Sequence, residues 1–586
     1  MEARVTVRPL LLLLGLALLL RLPFLNQAIQ GDDHIYLTEA EHALIDPLHP
    51  NNTRYVFLGT EVDLRGHSHP PGNAWPLAAL IAVLGGVKEV PFHAAYMVFT
   101  LLAVWAAWSL AARFAQRPVW AVLLFLAVPA FVVNGNSLEA DLPFLAFFLA
   151  AIALSSAGLL ACSCIAMAAA AMMAYQAVFL VPILVAHTWI FHRRSRTRYV
   201  LAFTPAVTIA AWQLFQRVTT GAMPASKLAN YLVDYGFAAL LGMVKGAAML
   251  SIHFWFLLFP ALLPPLAIAA WRRCREPATL FPILWIAIFF FCGLPIFFAG
   301  SARYLLPIAL PLAILASRLP VKWLAPAFAV QLALGLGLAA ANYQHWDGYR
   351  RFAASIRAAT AGHRVWVDND WGLRYYLEAD HALPAVKDQH LRPGDIVVTS
   401  ELGHNVEFTA PMVTIARAVI QPSIPFRLIG LESGSGYSTV AKGWWPFGIS
   451  SGVVDRVEAR IVRERHPVLE YLATNAPEAP EQIVSGVFLP DRWMGGDAVV
   501  LLKPPAAPRR LAAEIYVPPN AAAHRITLTL DGREAASMAI PRDGAYTVES
   551  SAPLSGSTVE IHVDRTFRAP GDQRDLGVVL LAVGFR

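Results

Sequence analysis

Hydrophobic and polar positions divide this chain into two halves. From Met1 to about Ala341 apolar runs dominate; from Asn342 onward Asp, Arg, Pro and Gly recur as they do in a globular domain. The apolar runs fall at 9–25, 93–112, 118–134, 141–157, 158–174, 177–191, 199–216, 247–270, 278–299, 303–317 and 323–341. About 17–25 apolar residues cross the hydrocarbon core of a bilayer, so these runs predict spanning helices, several of them near the lower limit. The run at 73–86 is shorter and predicts an interfacial or re-entrant helix. In the second half, His363–Asp368 and Asp395–Thr399 read as strands around a helix over Trp371–Leu377, a small α/β layer. Ala512–Val517, Arg525–Leu530 and Thr558–Val563 are alternating or β-branched, with turns such as Asp531-Gly532 between them, which predicts a β-sandwich. The expected architecture is therefore a multi-pass α-helical membrane protein of about 11 spans, followed by a soluble α/β subdomain and a β-sandwich. The expected domains are 1–341, 342–435 and 436–586.

Composition agrees with this division. The chain is 57% hydrophobic and 15% charged, where soluble domains carry about 25% charged residues. The net charge of +6 does not indicate nucleic acid, because the basic residues cluster in short loops between apolar runs, where they set orientation. With the N-terminus in the cytoplasm, Arg113/Arg117, Arg193 to Arg198, Arg272 to Arg275 and Arg318/Lys322 all fall on the cytoplasmic side. The loop 26–92, Asn134–Asp141, Arg217–Lys245, Gly300–Arg303 and the whole C-terminal half then lie outside. This predicts a bacterial inner-membrane protein with a periplasmic or extracellular C-terminal half. The first run has a basic start but no small-x-small cleavage site and carries Arg21, so it is expected to remain as a helix. The four cysteines all lie in the membrane half and imply no disulfide framework for the soluble half.

Candidate chemistry gathers on the outer side. Gly31-Asp32-Asp33-His34-Ile35-Tyr36 follows the first run, and adjacent carboxylates at a membrane edge are costly enough to imply a function. Glu139, Asp141 and Arg303 fall on the same side. Acids there can activate a nucleophile and cations can hold a phosphate. Each also has a structural reading: Asp32, Asp33 and Asp141 as helix caps, Arg303 as a snorkelling cation, Tyr36 as an interfacial tyrosine. The histidines of the first outer loop, among them His67 and His69, leave a divalent metal open, although no zinc-type ligand spacing appears and no cofactor is otherwise implied. No Gly-rich phosphate loop follows the α/β strands. Trp444, Trp445, Phe447 and Trp493 are candidates either for stacking on sugars or for the core.

Several of these residues form ordered motifs. Asp32-Asp33-x-x-Tyr36-x-x-x-Ala40, His69-Pro70-Pro71-Gly72, Asn136-x-x-Glu139-x-Asp141-x-Pro143 and Arg303-Tyr304-Leu305-Leu306-Pro307 occur in that order within about residues 5–340. Together they resemble the polyprenyl-phosphate-sugar-dependent glycosyltransferases of the GT-C fold, which include protein O-mannosyltransferases and the aminoarabinose transferases that modify lipid A. The resemblance implies a donor that is a polyprenyl-phosphate-linked sugar and an acceptor that is a glycan, lipid or protein. It also implies Asp32 as general base, with Asp33 and Asp141 as further catalytic carboxylates. Tyr36, His69, Glu139, Lys227, Arg303 and Tyr304 are the candidate substrate-binding residues, Arg303 and Lys227 among the cations for the leaving phosphate. Two positions depart from the family pattern: Asp33 stands where Glu is usual, and His69 where Lys is usual. A multi-pass transporter and an inactive sugar-binding scaffold are the alternative classes.

Overall fold

The computed structural model describes residues 7–294, 300–387, 389–408, 410–437, 442–519, 521, 525–569, 572 and 574–586, with side chains over 228–239 left out. The membrane half is helical: α1 (Val7–Arg21), α2 (Asp33–Ala43), α3 (Ala74–Leu84), α4 (Glu89–Phe114), α5 (Pro118–Leu126), α6 (Pro129–Asn134), α7 (Asp141–Ala157), α8 (Leu160–Met173) and α9 (Leu180–Phe191). It continues with α10 (Arg196–Leu201), α11 (Thr204–Thr220), α12 (Pro224–Phe254), α13 (Leu263–Arg272), α14 (Pro277–Gly293), α15 (Leu306–Ala316) and α16 (Val321–Thr360). Among the described residues, three stretches are long and apolar enough to cross a membrane by length and composition: Val7–Phe24, Glu89–Phe114 and Val321–Thr360. The other apolar helices are shorter. One apolar core joins residues of α1, α4–α8, α14, α15 and α16.

Three of the apolar runs, 118–134, 199–216 and 247–270, are broken rather than continuous. Pro129 forces its predecessor Val128 out of the helical region (ψ 119°), so 118–134 folds as α5 and α6. Likewise 247–270 is split between α12 and α13. The run at 323–341 does the opposite and continues, because α16 carries helical periodicity on through Thr360, burying Trp346, Tyr349, Phe352, Ala353 and Ile356 along one face. At 1.5 Å per residue this 40-residue helix is about 60 Å long, twice the thickness of a hydrocarbon core. The expected division at 341/342 falls inside it.

The first loop forms a hairpin of β1 (Arg54–Phe57) and β2 (Thr60–Asp63). The soluble half begins with a five-stranded sheet made from β3 (Val365–Asp368), β4 (Leu383–Pro384), β5 (Ile396–Ser400), β6 (Met412–Ile420) and a later strand, with helix α17 (Gly372–Ala379) following β3. After the short ribbon β7 (Phe426–Arg427) and β8 (Gly448–Ile449) comes that later strand, β9 (Asp455–Val462), and the sheet order is β4-β3-β5-β9-β6. Strand β9 thus joins the α/β sheet although it lies beyond residue 435, where the sandwich is expected to start. Its face packs on the extension of α16, with Val367, Val398, Val457 and Ala459 against Tyr349, Phe352 and Ile356.

The remaining strands are β10 (Tyr471–Ala473), β11 (Ile483–Phe488), β12 (Trp493–Leu501), β13 (Leu511–Val517), β14 (Arg525–Leu530), β15 (Arg533–Ala539), β16 (Gly544–Glu549), β17 (Thr558–Val563) and β18 (Val579–Phe585). They form two arms, β15-β14-β17-β12-β11 and β10-β18-β13-β16, joined where β12 meets β18 at Trp493↔Val579. Both arms contribute to one core, with Val500, Leu528 and Ile561 from one and Leu472, Ile515 and Leu580 from the other. The turn at Asp531-Gly532 has φ of +49° and +77°, the double left-handed geometry that favours Asp-Gly in a two-residue hairpin.

Candidate active site

The site is built where α1 hands over to α2. Arg21 ends α1 and donates to the carbonyls of Val132 (2.6 Å) and Phe131 (2.7 Å) at the end of α6, a cation on a helix C-terminus. Gly135 makes room, since a Cβ there would lie 1.7 Å from Arg21 Cζ. The two segments that carry the acids, 28–33 and 135–141, are thereby held together. Gln30 Nε2 donates to the Asn136 carbonyl (2.8 Å), and Asn342 Nδ2 of α16 donates to Gln30 Oε1 (2.5 Å).

Asp33 completes this attachment. Its carboxylate is fully buried and accepts from Gln30 N (3.1 Å), Ser137 Oγ (2.9 Å) and Leu138 N (2.8 Å). Burial pushes its pKa up to about 7, against three donors that favour the ionised form. Asp33 therefore faces the 135–138 segment, whereas Asp32 faces Arg303. The reason is helical geometry: Asp32 is the residue before the first helical position of α2, and the next residue turns inward.

Four side chains converge on Arg303, which sits in the turn Ala302–Leu305 leading into α15. Its guanidinium forms a close ion pair with Glu139, lies 3.1 Å from Asp32 Oδ2 and 3.6 Å from Asp141 Oδ2, and donates to Tyr304 Oη at 3.4 Å. The side chains of Arg303, Glu139 and Asp141 are 9%, 6% and 8% exposed, and that of Asp32 is 33% exposed. Asp32 is thus the carboxylate of the cluster that reaches solvent. Gly31 shapes this corner: its φ is +46°, and a Cβ there would come within 2.9 Å of Glu139 Oε1.

The remaining predicted residues take different places. Tyr36 is buried and meets His67 and His69 edge-on, with ring centroids 5.2 and 5.9 Å away. His69 Nδ1 donates to the Met173 carbonyl (3.0 Å), which fixes the neutral tautomer, and burial lowers its pKa to about 4. Burial thus favours the neutral ring at this position. Lys227 lies at the start of α12 and pairs with Asp63 (3.5 Å), which also binds Arg65, rather than with the Arg303 cluster. His67 Nδ1 meets the buried Glu39 at 3.2 Å. Among the described residues no group of three or more His, Cys, Asp or Glu is arranged to hold a metal.

Three contributors to the site come from the soluble half and have no motif in the sequence. Tyr376 of α17 accepts a hydrogen bond from Ile29 N (2.8 Å) and donates to Glu89. Gly372 lets α17 approach that segment, since a Cβ there would lie 2.3 Å from the Ile29 carbonyl. Tyr437 donates to Asn134 at the end of α6 and sits in the electrostatic surroundings of Arg303, Asp141 and Glu139.

The chain is similar to several solved structures. The structure of ArnT from Cupriavidus metallidurans in the apo state aligns with a TM-score of 0.48 at 15% identity, covering 69% of this chain and 95% of that one. The archaeal oligosaccharyltransferase AglB from Archaeoglobus fulgidus, in complex with an inhibitory peptide and a dolichol-phosphate, aligns at 0.45 and 11%, covering 97% of this chain and 95% of that one. The arabinofuranosyltransferase AftD from Mycobacteria aligns at 0.35 and 12%, covering 99% of this chain and 58% of that one. All three are glycosyltransferases of the GT-C fold. At TM-scores below 0.5 the likeness is one of overall chain course, and the chemistry of the site rests on its own geometry. No protein-family model and no curated protein matches the sequence.

Proposed function

We propose that this chain is a membrane glycosyltransferase that moves a sugar from a polyprenyl-phosphate carrier to a glycan, lipid or protein acceptor, on the membrane face that carries the soluble half. The observation that carries this reading is the convergence of Asp32, Glu139, Asp141 and Tyr304 on Arg303 beside an apolar helix bundle, with Asp32 open to solvent. In the proposed step the acceptor oxygen attacks the anomeric carbon and its proton passes to the Asp32 carboxylate. The bond from that carbon to the phosphate oxygen breaks, and its electron pair leaves on the polyprenyl phosphate. Three carboxylates around one guanidinium suit the positive charge that builds on an anomeric carbon during such a displacement. Arg303 Nη2, now on Asp32, is the donor a phosphate oxygen would take over, and the exchange would free the Asp32 carboxylate to take the acceptor's proton. A single displacement of this kind inverts the anomeric centre.

The test is transfer from radiolabelled polyprenyl-phosphate sugars in membranes containing the wild-type chain or Asp32→Asn. Loss of about 10²-fold or more in rate is expected for removing a general base. Unchanged transfer by Asp32→Asn would overturn the role given to Asp32.

A further inference from the structure

The segment between β6 and β9 leaves the soluble sheet and lies against the apolar helices. Phe426 packs so closely on Gly337 of α16 that a Cβ there would be 2.8 Å from its ring. Gly337 lies four residues before the end of the apolar run at Ala341, so the contact is about 6 Å inside that run. Phe447 continues the contact, with its ring 6.3 Å from Phe426 and 5.5 Å from Phe256. His253, near the end of α12, donates from Nε2 to the Trp444 carbonyl at 3.2 Å. The turn is tied back to its own segment where Gly436 N donates to the Trp445 carbonyl (3.1 Å).

While Phe447 is used in this packing, the residues beside it point away from protein. Trp444 is 40% exposed, Trp445 61% and Ile449 78%, and Trp255 on the adjoining helical segment is 54% exposed. Single exposed apolar residues need no explanation, but a contiguous group of them held at the level of an apolar helix surface does. Tryptophan concentrates at the boundary between headgroups and acyl chains, where its ring is buried and its N–H stays wet.

We propose that the Trp444-Trp445 turn is a lipid anchor: it seats in the headgroup–acyl boundary of the leaflet nearest the soluble half, and its partner is bilayer lipid rather than sugar. The occupant follows from continuity, because Phe426 and Phe447 of the same segment pack on Gly337 of the apolar run of α16 and on Phe256 just past α12. The same segment carries Tyr437, which donates to Asn134 at the end of α6. This rests on the helices lying in a membrane and not on the proposed transfer reaction, so either can fail alone.

The test places an environment-sensitive fluorophore on the turn. In the full chain with Cys162→Ser, Cys164→Ser, Cys274→Ser and Cys292→Ser, a single cysteine is introduced as Trp445→Cys, or in a second variant as Ile449→Cys, and labelled. Tyr516→Cys, exposed on the β-rich unit, is the aqueous reference. The labelled chain is reconstituted into nanodiscs of phosphatidylethanolamine and phosphatidylglycerol. Blue-shifted emission at 445 or 449, with severalfold stronger quenching by headgroup-proximal doxyl lipid than at 516, is the expected result. Quenching by aqueous iodide as strong as at 516, with no effect of doxyl lipid at either position, would overturn the proposal. Protection from iodide by added glycan without any doxyl quenching would overturn it too, and would assign the turn to sugar.

Discussion

Asp32 and Asp33 are adjacent in sequence and have opposite surroundings, and the difference is measurable. Asp32→Asn removes a partly exposed carboxylate and is expected to leave folding intact while transfer is lost. Asp33→Asn places an amide where Gln30 N donates, leaving a buried N–H unpaired at a cost of about 1–3 kcal/mol. A lowered melting temperature in detergent, with residual transfer at reduced temperature, checks this. Arg303→Met leaves Glu139 and Asp141 buried without their cation and should destabilise by about 3–5 kcal/mol, read by the same melting assay. His69 gives a pH signature. Its folded pKa of about 4 lies below the ordinary histidine value, so the unfolded chain binds the extra proton between about pH 4 and 6.5. The stability His69 contributes is therefore present above that window and lost as pH falls through it. Relative to His69→Gln, wild type should lose about 3 kcal/mol between pH 7 and pH 4, measured by thermal unfolding at both. The motifs already grouped Asp32 and Arg303 as candidates, and the structure brings the two together as an ion pair. That burial lowers the pKa of His69 was not legible there, because the burial is made by segments distant in the chain, against a hydrogen bond to the Met173 carbonyl that favours the charged ring.

At the scale of elements, the apolar pattern marked most of the helices but not their breaks. Pro118, Pro129, Pro224 and Pro277 each open a helix, where a missing N–H costs nothing. The runs at 118–134 and 323–341 read as single spans, whereas Pro129 breaks the first and α16 carries the second on to Thr360. What the pattern does not contain is the connection of Gly31 to Glu139. Gly31→Ala forces a left-handed residue to carry a Cβ that also meets Glu139, and should cost about 1–2 kcal/mol while displacing Asp32 from Arg303. A fall in transfer rate larger than the fall in melting temperature accounts for would confirm the displacement; transfer equal to wild type would refute it.

For the whole molecule, the soluble half is part of the site's support. Tyr376 and Gly372 hold the segment that presents Asp32, Tyr349 of α16 donates to Asp455 Oδ2 of β9 (2.6 Å), and Ser400 Oγ donates to the same oxygen (2.5 Å). Tyr376→Phe strips the buried Ile29 N–H of its acceptor and should cost about 1–3 kcal/mol and slow transfer, while leaving membrane insertion unchanged. Equal transfer by Tyr376→Phe and wild type would show that α17 covers the segment without positioning it. The sequence by itself determined that apolar helices come first and alternating strands follow, because each depends on a local period of 3.6 or 2 residues. It also marked the acids and the arginine, because charge at the edge of an apolar run stands out in one dimension. Only the tertiary structure decided which of two neighbouring aspartates opens to solvent. It alone gathered Glu139 and Arg303, 164 residues apart, into one ion pair, and brought an α/β layer against a membrane-edge segment more than 300 residues earlier in the chain. Those outcomes follow from packing between distant surfaces, which no local period encodes.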